Sequence, residues 1–458
     1  MAIAILGNND RLTKPVWIKN PLTVLAQEAE GGLVVDQGII CEKVSRGNRP
    51  SSPSYTEFDA SECVILPGLI NAHHHFYQTL TRACPAALNK PLFPWLRSLY
   101  PIWAKLTSDM MQSASKLAMA ELLLSGCTTA ADHHYLFPDR LTDAIDIQAE
   151  AARDLGIRVH LTRGSMSLGE DQGGLPPRST VQEEDIILED SRRLIRAYHD
   201  PAEGAMVRIA LAPCSPFSVS TDLMQASADL AREEDVRLHT HLAETRDETG
   251  FCLEMFGLRP LDYLEKVGWL SNDTWLAHGI HFNDDEIRRL GQAGVGICHC
   301  PSSNMVLSSG ICRTLELEEA GCPVGLGVDG SASNDGSNLI QEVRQAMLIG
   351  RLLYSAGEMT HDAALRFATE GSARCLGRDD IGKLDVGMQA DLALFKLDEP
   401  RFSGAGDPLA ALVLCGAHQA DHVMVAGKWR VQDGAIPDLD MEALMAEHHA
   451  LGRALQTL

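Results

Sequence analysis

Apolar and polar positions along the chain fall into three regimes. Between residues 11 and 62 they alternate in short runs, Val16-Trp17-Ile18, Leu22-Thr23-Val24-Leu25 and Gly32-Leu33-Val34-Val35. A period of two predicts strands, and Asp36-Gln37-Gly38 before Ile39-Ile40 predicts a hairpin turn. From Cys63 onward, apolar runs that end in polar residues alternate with amphipathic stretches. The first run passes through Cys63-Val64-Ile65-Leu66-Pro67-Gly68-Leu69-Ile70 and ends at Asn71-Ala72-His73-His74-His75. Helical patterns at 108–126, 141–155, 181–198, 221–234, 248–267, 284–293 and 315–320 each lead into another such run. Those runs end near His134, Arg163, Cys214, Glu244, His278, Cys300 and Asp329, and long helices follow over 338–376. Eight strand–helix units predict an α/β fold, a (β/α)8 TIM barrel over residues 67–377. A doubly wound sheet would also alternate, but would not bring the first, fifth, sixth and eighth strands around one point. After 377 short strands return, at 381–384, 390–395 and 422–431. Residues 1–66 and 378–458 are expected to share one small β-sandwich, since neither end alone has enough strands. The stretch 441–455 reads as an amphipathic helix.

Charge and composition narrow the partners. The net charge of −23 argues against nucleic acid or an anionic membrane surface. No apolar stretch reaches the ~20 residues of a membrane span. The first ten residues lack a cationic start followed by an apolar core, so no signal peptide is expected. Twelve cysteines lie scattered, several in apolar runs, which suits reduced thiols in a cytoplasmic protein.

Candidate chemistry gathers at the strand ends. His73 and His75 project the same way from a strand, while His74 points to the other face and packs. His241 and Glu244 end the fifth strand, His278 the sixth and Asp329 the eighth. Bare imidazoles and carboxylates at buried strand ends are costly unless paired or metal-bound. Three imidazoles and one carboxylate suit a divalent metal, zinc first and iron second, and an open position for water would lower that water's pKa to ~7. His239 reads as a satisfied histidine deeper in the barrel. His133 or His134 is a candidate for substrate or for supporting a ligand. His281 and His299 read as structural. Cys298 and Cys300 lack the second pair that a zinc motif needs. Gln78 and Trp95, on the long loop after the first strand, could hydrogen-bond and stack a planar base. Arg163 could meet a carbonyl or anionic oxygen.

Pro67-Gly68-Leu69-Ile70-Asn71-Ala72-His73-His74-His75, His241-Leu242-Ala243-Glu244-Thr245, Leu276-Ala277-His278 and Gly327-Val328-Asp329-Gly330 together resemble the amidohydrolase superfamily, in particular its branch of aromatic-base deaminases. The resemblance extends to the terminal segments through Gly387-Met388-Gln389-Ala390-Asp391-Leu392. It implies that His73, His75, His241 and Asp329 bind one metal, that Glu244 shuttles protons and that His278 and Asp329 help to activate water. Binuclear members carry a modified lysine at the end of the fourth strand. Cys214 stands there instead, which implies a single metal and makes Cys214 a candidate substrate contact. The implied reaction is hydrolytic deamination of an amino-purine, 8-oxoguanine first, with guanine, isoxanthopterin or a triazine as alternatives. A barrel that has lost catalysis is a further alternative, disfavoured because every ligand is present. The expected partner is a small heterocycle, with homo-oligomer formation open.

Overall fold

The computed structural model describes residues 14–457, so the expectation about a leader falls outside the described residues. At its centre eight parallel strands close into a barrel. They are β1 (Leu69–Asn71), β2 (Cys127–His134), β3 (Arg158–Ser165), β4 (Val207–Pro213), β5 (Arg237–Leu242), β6 (Thr274–His278), β7 (Gly296–His299) and β8 (Val324–Leu326). Each pairs with its neighbours in chain order, and β8 closes on β1 through Leu326 and Asn71. Every residue of β2 and β3 is buried, which explains their continuous rather than alternating polarity pattern. The outer helices bury one stripe. In Thr221–Glu233 that stripe is Leu223, Met224, Ser227, Ala228, Leu230 and Ala231, and the Ser220 hydroxyl caps the helix start. Asn283 and Glu286 form a capping box on Asp284–Ala293.

The terminal segments build two further sheets. One orders the strands Ile39–Val44, Gly32–Asp36, Val16–Lys19 and Thr56–Asp59. Gln37 and Gly38 form its hairpin turn at φ 49° and 85°, the geometry expected of a two-residue turn. The other draws on both ends of the chain, with Cys63–Pro67 antiparallel to Leu392–Lys396. Ile18, Leu33, Ile65, Leu392 and Met424 pack in one apolar cluster that spans both sheets.

Two elements differ from the sequence expectation. The run from Cys63 to His75 is not one strand: Cys63–Pro67 belongs to the terminal sheet, and only Leu69–Asn71 enters the barrel. Beyond it His74–His75 pairs in parallel with Asp329–Gly330. Gly68 marks the transition, and a Cβ there would lie 2.2 Å from the Thr128 hydroxyl, so the chain changes sheets where only glycine fits. The connection after β1 is also not a long loop. It contains the 3-10 turn Phe76–Thr81 and the helix Leu92–Trp103. Pro91, Pro94 and Pro101 obscure that helix in the sequence. The first two sit at its N-cap and first turn, where no intrahelical N–H is needed.

Candidate active site

The C-terminal ends of β1, β5, β6 and β8 converge. His73, His241, His278 and Asp329 each bring a ligand atom within 4.8 Å of the others, as do His73, His75, His133 and His241. Asp329 Oδ1 lies 3.2 Å from His73 Nε2 and 3.3 Å from His75 Nε2. His75 Nε2 and His241 Nε2 are 3.2 Å apart. Ala243, His278 and Asp329 adopt left-handed backbone conformations, with φ of 55°, 73° and 63°. Such conformations are strained for residues with a Cβ and recur where side chains must be aimed. A Cβ on Gly327 would fall 2.8 Å from the Cβ of His73, so that glycine lets the end of β8 pack on the first imidazole.

The outer nitrogens fix the tautomers. His75 Nδ1 meets the His133 carbonyl at 2.6 Å and His241 Nδ1 meets the Cys214 carbonyl at 2.7 Å. A carbonyl only accepts, so both Nδ1 atoms carry the proton and both Nε2 lone pairs face the cluster. His239 Nδ1 donates to the Trp275 carbonyl at 2.8 Å, which leaves its Nε2 to accept from His73 Nδ1, also at 2.8 Å. His73 Nε2 is buried and has no hydrogen-bond partner. Burial holds His73 and His241 neutral by pulling their pKa values well below the usual imidazole range. Asp329 is ionised, its pKa well below the ordinary carboxylate range although burial alone would raise it. Neutral Nε2 donors around an ionised carboxylate are what a divalent cation requires. The chain carries a His/Asp metal site.

Glu244 and His278 stand beside that site. Glu244 Oε2 is 3.5 Å from His278 Nε2, and Glu244 Oε1 accepts from the Ser309 hydroxyl at 3.3 Å. Burial raises the Glu244 pKa. Burial lowers the His278 pKa, but the Glu244 and Asp329 carboxylates raise it further, for a net rise. The Asn304 amide oxygen accepts from His278 Nδ1 at 3.0 Å and fixes that ring. Glu248, which sequence reasoning passed over, accepts the backbone N–H groups of Ala243 and Glu244 at 2.9 Å each and anchors the turn that aims Glu244.

A pocket opens onto these groups. His75, His241, His278, Glu244 and Asp329 lie at one end, and Gln78, Trp95 and Cys214 also line it. Gln78 Oε1 accepts from Ala332 N–H at 3.3 Å, and a Cβ on Gly330 would occupy its place. Trp95 Nε1 donates to the Ala332 carbonyl at 3.3 Å. Cys214 contributes both its pocket-facing side chain and the carbonyl that orients His241. Arg163 is taken elsewhere by the fold. Its guanidinium bonds Asp190 at 2.8 Å, Gln182 at 3.0 Å and the Gly164 carbonyl at 2.5 Å, and lies 3.8 Å over the Phe137 ring. It does not line the pocket, and each of its three nitrogens already has a partner. His133 lends its carbonyl to His75 and stacks on His241, whereas His134 bonds the Leu136 carbonyl. His74 bonds the Ser337 hydroxyl at 2.9 Å, away from the cluster. His281 bonds the Ser309 carbonyl, and His299 sits 3.4 Å from the Asn304 amide nitrogen.

The helix Leu92–Trp103 supplies the wall that sequence reasoning missed. Leu92, Trp95, Leu96 and Tyr100 all face the pocket. Their i, i+3, i+4, i+8 spacing is one helical face and was the available signal.

Known proteins share this architecture. Residues 64–430 match the amidohydrolase family. Over 442 residues the chain is 63% identical to 8-oxoguanine deaminase of Pseudomonas aeruginosa, covering 96% of this chain and 98% of that one. It is 36% identical over 423 residues to isoxanthopterin deaminase from an unknown prokaryotic organism, covering 88% of each. A zinc complex of atrazine chlorohydrolase from Arthrobacter aurescens TC1 superposes with a TM-score of 0.90 at 34% identity, covering 95% of this chain and 100% of that one.

Proposed function

The chain belongs to the amidohydrolase family, and on that footing we propose that it is a metal-dependent aminohydrolase that converts 8-oxoguanine to urate and ammonia. The observation that carries the substrate is the 63% identity running through nearly the whole of both chains. Relatives named for isoxanthopterin and for a hydroxylated triazine stand at 36% and 38%.

His73, His75, His241 and Asp329 would hold one divalent ion, and zinc is favoured by their nitrogen-rich set and by the zinc complex of the atrazine chlorohydrolase. When bound, such an ion lowers the pKa of water toward neutrality and so supplies the nucleophile. The remaining roles belong to protons. Asp329 and His278, 3.8 Å apart, are placed to take the proton that water releases. Glu244, whose pKa is raised by burial, is suited to protonate a ring nitrogen and make the amine-bearing carbon more electrophilic. Asp329 can return a proton to the departing amine. Gln78, Trp95 and Cys214 would position the base, Trp95 through its ring face. No helix among the described residues is long and apolar enough to cross a membrane.

The test is ammonia release from 8-oxoguanine, guanine, isoxanthopterin and an amino-triazine. The highest kcat/KM is expected with 8-oxoguanine. A preference for another of the four would overturn the substrate while leaving the chemistry in place.

A further inference from the structure

Among the described residues, Tyr100 is the tyrosine whose buried hydroxyl has no hydrogen-bond partner. The Tyr77 hydroxyl, by contrast, accepts from Gln78 Nε2 at 3.4 Å. Burial raises the Tyr100 pKa well above the ordinary phenol range, so the group is a neutral donor at any working pH. Tyr100 lines the pocket, and its neighbours on the lining face of the helix, Leu92 and Leu96, offer its buried hydroxyl no partner. A buried hydroxyl left unpaired is costly, and the wall tolerates it where a ligand completes the bond.

Its place in the wall says which part of the ligand it reads. Tyr135 packs 5.3 Å from the His75 ring, against the metal site. Tyr100 instead packs 6.0 Å from Trp103, and no described ring pair joins it to an imidazole of the cluster. The carbon that loses its amine must face Glu244 and Asp329. In a 2-amino-6,8-dioxopurine the oxygen on the five-membered ring lies at the opposite end of the molecule.

We infer that Tyr100 is a specificity-determining residue whose hydroxyl donates a hydrogen bond to the 8-oxo oxygen of the purine. The inference rests on the substrate reading above and sharpens it. 8-Oxoguanine and guanine share the amine and the 6-oxo group and differ at carbon 8, which carries the oxygen, and at the adjacent ring nitrogen, which then bears a proton. A donor waiting for that oxygen separates the two, because guanine leaves it unpaired.

The test is Tyr100→Phe, which removes one oxygen and keeps the ring. Two measurements are read together. One is inhibition by urate and by xanthine, the corresponding products, which again differ at carbon 8 and the adjacent ring nitrogen. The other is the thermal midpoint of the ligand-free protein. The wild-type protein should bind urate more tightly than xanthine, and the variant should lose about 10- to 100-fold of that preference, the range for leaving a buried polar group unpaired. kcat/KM should fall comparably for 8-oxoguanine and stay unchanged for guanine. The midpoint of the ligand-free variant should hold or rise, because nothing in the protein bonds the hydroxyl. An unchanged urate-to-xanthine ratio, an equal loss for both ligands, or no wild-type preference for urate would overturn the assignment. So would a lowered midpoint with the ratio intact, which would make the hydroxyl structural. A wild-type protein that releases no ammonia from 8-oxoguanine would instead overturn the proposed reaction, with the inhibitor ratio still deciding the role of Tyr100.

Discussion

At the scale of single residues, the groups that do chemistry and the groups that aim them separate cleanly. Replacing Glu244 with Gln keeps its volume and would remove the proton transfer proposed for it. kcat should fall by about 10²- to 10⁴-fold with bound metal unchanged, as read by steady-state kinetics beside metal analysis. His239 acts one step further out. Its Nε2 accepts from His73 Nδ1, so it fixes the tautomer of His73 without itself presenting a nitrogen to the cluster. His239→Leu should weaken metal affinity by about 10- to 100-fold in a chelator competition, and unchanged affinity would reduce His239 to packing. That His73, His75, His241, Glu244, His278 and Asp329 gather at one end of the barrel was legible in the sequence, because His, Asp and Glu at apolar strand ends have few inexpensive explanations. The tautomer relay and the grip of Glu248 on two backbone N–H groups were not. Both depend on which atoms meet across distant segments, and residue type does not encode that. Arg163 shows the same gap from the other side. Its place at the end of β3 suggested a substrate contact, and Asp190, Gln182 and Phe137, all outside that strand, took it away.

At the scale of elements, hydrophobic period located the barrel strands, though it merged the first with a strand of the terminal sheet, and misjudged the connection after β1. The proline-bearing helix Leu92–Trp103 and the turn Phe76–Thr81 together carry Gln78, Trp95 and Tyr100, so much of the pocket sits on the part that was hardest to read. The C-terminal helix Met441–Thr457 packs against this region. His448 Nε2 donates to the Thr79 hydroxyl at 3.0 Å, and the Gln456 amide donates to the Leu80 carbonyl at 2.8 Å. Burial lowers the His448 pKa to about 4, and the nearby Arg82 and His449 act in the same direction. A folded value below the unfolded 6.5 means that the docked helix disfavours the proton. The contribution is complete above pH 6.5 and is lost as pH falls through 4, on the order of 3 kcal/mol at the limit. Hydrogen exchange over 441–457 should therefore speed up between pH 6.5 and 4 relative to the barrel strands. His448→Gln should flatten that dependence, and an equally steep dependence in the variant would assign the effect to other groups.

At the scale of the whole molecule, the barrel was legible because eight buried strands repeat one pattern, whereas the seam between barrel and terminal sheets is written in a few charged residues far apart in sequence. Arg158, at the start of β3, is fully buried and places Nε and Nη2 each 3.2 Å from the carboxylate oxygens of Asp391. Its Nη1 bonds the carbonyls of Gly204 and Ala205 at 2.7 Å, while Asp391 also accepts from Ala426 N–H at 2.7 Å. The pair lies at the N-terminal end of the barrel, opposite the active face, where side chains serve stability rather than chemistry. Asp391→Asn would leave the Arg158 charge buried without a counter-ion, a change that typically costs about 3 to 5 kcal/mol. The midpoint of urea unfolding should fall accordingly, while kcat/KM measured well below the transition stays at the wild-type value. Converting both partners to apolar residues, Arg158→Met with Asp391→Leu, should recover most of that stability, since the cost comes from the stranded charge and not from the missing bond. Loss of activity in Asp391→Asn while it is still folded would show instead that the seam reaches the metal site. A double variant no more stable than Asp391→Asn would show that the geometry of the pair, with its links to Gly204, Ala205 and Ala426, holds the two parts together rather than its charge balance.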